Sequence, residues 1–159
     1  MVENDDIFDL ETESTRLKGS EIEHLSSDVI AISKTVKKLA SYMAKSEVIA
    51  KHRSEFYSYR QELVEIKHRS IYKCSLLQSK LAKKKEKNMV EIKTGKSNTQ
   101  YRPNNLDELS IMQKSQLADD DFEVSVFNKF IDFVLDSLKS VDHMIYGIEQ
   151  SIILDRDYR

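Results

Sequence analysis

The sequence predicts an all-α protein made of long amphipathic helices, arranged as a helical hairpin with a C-terminal oligomerisation helix. Three observations predict it. The 159 residues include three glycines and one proline, too few turn-formers for a chain of many short elements. No glycine or proline interrupts the stretch from Ser20 to Asn88. Apolar residues recur at steps of three and four, the helical period rather than the two-residue period of a strand.

Residues 1–19 read as an acidic flexible arm, and its acidic start carries the wrong charge for a signal peptide. Ser20 is placed to cap a helix, with Glu23 three residues on completing a capping box. Leu25, Val29, Ile32, Val36, Leu39 and Met43 then form a narrow seam of the kind found in coiled coils. The stripe thins over residues 44–55 and resumes as Phe56, Leu63, Ile66, Cys74, Leu77 and Leu81. Residues 20–88 are therefore one long helix, or two with a break near residues 46–54. Residues 89–118 hold Gly95, Ser97, Asn98, Pro103, Asn104 and Asn105 and read as a loop, with a helical turn expected at Leu106–Met112.

The last segment, residues 119–155, opens on Asp119-Asp120-Asp121, because carboxylates favour the positive end of a helix dipole. Val124, Phe127, Ile131, Val134, Leu138, Val141, Ile145, Ile148 and Ile152 follow in strict three-four alternation, widened by Phe130, Phe133 and Leu135. One narrow seam on the first helix offers too little surface to cover so wide a stripe. Self-association through residues 122–153 is the expectation, with Phe127, Ile131, Val134, Leu138, Val141, Ile145 and Ile148 at the contact.

Little in the sequence suggests an enzyme. His24, His52, His68 and His143 are scattered, with no HExxH and no CxxC, so no metal site is expected. The single cysteine, Cys74, cannot close an internal disulfide; it lies on the apolar stripe and reads as a packed thiol in a reducing cytoplasm. There is no glycine-rich phosphate loop and no GxSxG, and no cofactor is implied. No apolar run reaches the roughly 18–20 residues of a transmembrane helix.

Charge is the informative feature. The formal net charge of −2 conceals three blocks. Residues 1–28 hold nine acids against Arg16 and Lys18, and residues 103–155 hold eleven against Lys114, Lys129 and Lys139. Between them, residues 67–96 hold ten basic residues against Glu86 and Glu91. On a helix, Lys67, Lys73, Lys80, Lys84 and Lys87 are expected to share one side, with Arg69 and Tyr72 three residues apart. Cations that neutralise phosphates beside a ring on which any base can stack suit single-stranded nucleic acid. The predicted DNA-binding residues are Lys67, Arg69, Tyr72, Lys73, Lys80 and Lys84.

The stretch Leu39–Lys73, followed after the loop by the segment from Leu117 to Ile153, resembles the phage UvsY-type recombination mediators. The K-x-R-x-x-Y group at Lys67, Arg69 and Tyr72 carries the resemblance. So do the Tyr42 segment leading into a charged helix, the step at Leu117, Asp120 and Phe122, and a last helix with Ile145, Ile148 and Ile152 ending in Asp-Arg-Asp-Tyr. The resemblance implies a small helical protein that assembles into a homo-oligomeric ring. It would bind single-stranded DNA and load a RecA-type recombinase onto strands covered by single-strand-binding protein, in an infected bacterial host. Lys67 and Arg69 would contact DNA. The chain departs from the family's pattern where Cys74-Ser75-Leu76-Leu77 continues the helix in place of a glycine turn.

Two other readings fit the same residues. One is a BAR-like helical module that binds acidic membranes through its lysines. The other is a coiled-coil adaptor whose lysines only face solvent.

Overall fold

A computed structural model describes residues 24–44, 46–94 and 105–157. Among them are four helices, α1 (Leu25–Met43), α2 (Ser46–Thr94), α3 (Leu106–Gln116) and α4 (Ala118–Asp157), and no strand, so the fold is all-α. The acidic arm, the Ser20–Glu23 capping box and residues 95–104 of the expected loop lie outside the described residues. The chain forms two compact units, Met1–His68 with Phe130–Arg159, and Arg69–Lys129.

In the first unit, α1 buries Leu25, Ile32 and Leu39, three members of its predicted seam. It runs antiparallel to the first half of α2. Tyr59 donates its hydroxyl to the carbonyl of Ile32 at 3.4 Å, and desolvation raises its pKa above the usual tyrosine value. Nearer the turn, the Tyr42 ring stacks on His52 with centroids 4.1 Å apart and meets Phe56 edge-on. His52 Nδ1 contacts Glu55, and Lys38 Nζ lies 3.4 Å from the same carboxylate. The bond from His52, helped by Lys38, holds the Glu55 carboxyl below its ordinary value.

The helix break falls between Met43 and Ser46, just before the predicted region. No glycine or proline marks it. It is set by tertiary packing, because Tyr42 can stack on His52 only if the chain reverses between them.

The second half of α4 supplies Phe130, Val134, Val141, Ile145 and Ile148 to this core. It runs antiparallel to α2, tied by Tyr57 to Glu149 at 2.7 Å and by Arg60 to Asp142 at 2.5 Å. Gly147 packs beside α1: a Cβ placed on it would sit 3.2 Å from Cε of Met43. That atom ends a flexible side chain and can shift. Gly147→Ala therefore removes the entropic cost of a mid-helix glycine at little steric expense, and we expect about 0.5–1 kcal/mol of stabilisation. A thermal melt checks it, and a lowered midpoint would mean that Met43 cannot move aside.

The second unit is built from the rest of α2, α3 and the start of α4. Cys74, Leu81, Ile92, Leu109, Leu117, Val126 and Phe127 are buried in it. The Cys74 thiol donates to Oδ1 of Asn128 at 3.3 Å, and burial pushes its pKa up. This is the packed thiol that the apolar stripe implied. Cys74 meets Asn128 whereas Lys84 and Lys85, farther along α2, meet Asp120 and Asp121, earlier on α4, so the two helices are antiparallel here also. In each unit, then, part of α2 pairs with part of α4.

Two boundaries differ from expectation. Helix α2 passes Asn88 and ends at Thr94, since buried Ile92 extends the inward line of buried Leu81 and half-buried Lys85 and Asn88 at steps of four and three. Asn88 does not break the helix; it donates to Oε1 of Gln116 on α3 at 2.5 Å. The expected turn at 106–112 is an eleven-residue helix, capped by Asn105 Oδ1 accepting from the Glu108 amide at 2.8 Å. Gln113 Nε2 anchors it to the carbonyl of Lys85 at 2.8 Å.

The largest correction concerns the stripe assigned to oligomerisation. Phe127, Val134, Val141, Ile145 and Ile148 are buried within the single chain, and Ile131 and Leu138 are half-buried there. In each unit, two other helices contribute buried side chains to the core that α4 joins. One seam cannot cover the stripe, and in each unit a second helix completes the cover.

Candidate nucleic-acid interface

Helix α2 has one face inside and one outside across the second unit, and the split follows from residue spacing. Cys74, Leu77, Leu81, Lys85, Asn88 and Ile92 advance by three and four and are buried or half-buried. On the other side Arg69, Tyr72, Leu76, Lys80, Lys83, Lys87 and Val90 advance by the same steps and are all exposed. Lys73 lies beside Tyr72, exposed as well. From Arg69 to Lys87 this outer face runs about 27 Å along the helix axis.

Most of its cations are uncommitted. Among the described residues, Arg69, Lys73, Lys80 and Lys83 make no ion pair, and Lys87 has only a long contact of 3.7 Å to Glu91 one turn on. Tyr72 is 67% exposed. Cations sit over the rings of Tyr42 and Tyr57 in the first unit, and none among the described residues sits over Tyr72. Its ring is open to a stacking partner. Leu76 and Val90 add exposed apolar surface to the same face.

Of the predicted residues, Arg69, Tyr72, Lys73 and Lys80 come together on this face. Two do not join them. Lys67 belongs to the first unit and is half-buried. Six residues separate it from Lys73, so the two point about 120° apart around the helix, and the expectation that they share a side fails on the 3.6-residue period. Lys84 is directed to Asp120, with Nζ 2.5 Å from Oδ1, and its neighbour Lys85 meets Asp121 at 2.9 Å. The Asp119–Asp121 triplet therefore does more than open α4: two of its acids pair with lysines of α2.

Lys83 was missed by the sequence reading. The signal that finds it is the three-four register counted from Arg69, which passes through Lys80, Lys83 and Lys87. Among the described residues, no group of three or more histidine, cysteine, aspartate or glutamate side chains is placed to hold a metal ion, and no helix is long and apolar enough to cross a membrane. Comparisons with protein-family models, curated proteins and solved structures return no match to this chain.

Proposed function

We propose that the outer face of α2 binds single-stranded DNA without regard to sequence. Through it the protein would act as a recombination mediator, loading a RecA-type recombinase onto strands covered by single-strand-binding protein. The observation that carries the DNA-binding part is the exposed row of Arg69, Lys73, Lys80 and Lys83, none ion-paired among the described residues, with the open ring of Tyr72 among them. Phosphates lie along the cations, and a base stacks on the ring. The loading role rests on the resemblance to UvsY-type mediators. Ring assembly, which that resemblance also implies, would need a surface other than the α4 stripe.

Fluorescence anisotropy with labelled oligothymidylate tests the reading. We expect binding that weakens steeply with salt, and a Tyr72→Ala variant that binds about 5- to 100-fold more weakly, the range for one lost stacking contact. Absence of binding at minimal salt would overturn it. Flotation with anionic vesicles is the parallel arm, and binding to vesicles but not to oligothymidylate would favour the membrane-surface reading. The mediator role predicts faster strand exchange by a RecA-type recombinase when the chain is added to DNA already covered by single-strand-binding protein.

A further inference from the structure

We infer that Asp120 and Asp121 act as an internal screen. Asp120 engages Lys84 at the edge of the cationic face beside α4, Asp121 engages Lys85 on the flank next to it, and together they limit the grip of α2 on a polyanion. The inference rests on the proposed DNA-binding reading and adds to it the residues that set its strength.

The sequence Lys83-Lys84-Lys85 presents three adjacent cations with two fates. Lys83 is exposed with no ion pair among the described residues, whereas Lys84 and Lys85 lie 2.5 and 2.9 Å from Asp120 and Asp121. The two carboxylates are held there by backbone structure. They occupy the first turn of α4, where the helix dipole favours negative charge, and the Asp121 amide already closes that turn on the carbonyl of Leu117 at 2.9 Å. The lysines remain accessible, Lys84 at 57% and Lys85 at 45% of side-chain surface. They are therefore occupied by acids rather than buried. Ion pairs this exposed are weak, so a strand competes for these lysines instead of being shut out. Each lysine must exchange a carboxylate for a phosphate, and the gain on binding is correspondingly smaller than at Lys73 or Lys80.

Single-strand affinity measured across a salt series tests this. Asp120→Asn with Asp121→Asn should bind oligothymidylate several-fold to tenfold more tightly per freed lysine at low salt. The slope of log affinity against log salt should steepen by up to about 1.4, the contribution of two further phosphate contacts on a single strand. Adding Lys84→Gln and Lys85→Gln to that variant should return both quantities to wild type, because both pairs are then gone with net charge unchanged. Asp119→Asn removes one negative charge from the same turn without freeing a lysine among the described residues, and should give a smaller gain than Asp120→Asn alone. Far-ultraviolet circular dichroism and a melt establish that each variant is folded. Unchanged affinity and slope in the double variant would overturn the screen, as would a gain that persists after both lysines are removed. Lys73→Gln with Lys80→Gln is the independent arm. If it weakens binding while the aspartate variants change nothing, only the screen is wrong; if it has no effect, the DNA-binding reading itself is wrong.

Discussion

Replacing Ile148 by aspartate will unfold the first unit rather than release a subunit from an assembly. Ile148 is fully buried and shares a core with Phe56, Leu63, Leu39 and Val141. A carboxylate there has no partner, and burying an unpaired charge costs several kcal/mol, a large part of the 5–15 kcal/mol by which a domain is stable. The milder Ile148→Ala leaves a cavity and should cost about 2–5 kcal/mol. Urea unfolding followed by circular dichroism, with sedimentation in parallel, checks both variants. A folded, fully helical Ile148→Asp chain of lower mass would restore the α4 stripe as a contact between subunits.

Charge reversal on α2 should have the opposite profile, a large loss of binding with the fold intact. Arg69→Glu, Lys73→Glu and Lys80→Glu together remove three phosphate contacts and place three repelling charges on the same face. We expect at least a hundredfold loss of single-strand affinity at low salt. All three side chains are exposed, so each change should move stability by no more than about 0.5 kcal/mol. Lys67→Glu serves as the internal comparison. Its side chain is half-buried on another flank of the helix, and it should affect DNA binding less than Lys73→Glu does. Anisotropy titrations alongside melts would settle the matter, and a Lys67 effect equal to that of Lys73 would return the contact to the K-x-R group.

The fold was largely legible because helical period is a local property. Leu25, Ile32 and Leu39 lie inside as their spacing required, and the alternation from Val124 to Ile152 lies within one helix. Boundaries were less legible where a distant partner decides them. Asn88 reads as a helix end until its side chain is seen to donate to Gln116, and the stretch before Leu117 reads as a loop until Leu109 is seen to be buried. The site was partly legible for the same reason. Arg69, Tyr72, Lys73 and Lys80 follow from the register of one helix. The neutralisation of Lys84 depends on an acid thirty-six residues away.

The sequence by itself determined an all-helical chain, the apolar stripes and the concentration of positive charge in the middle. Only the tertiary structure decided what covers the last stripe, and which lysines are left without a carboxylate. A periodic pattern says which face of a helix avoids water, yet not which surface supplies the cover. A count of charges fixes their number, but whether each meets an opposite charge depends on helices far apart in sequence being brought within a few ångströms.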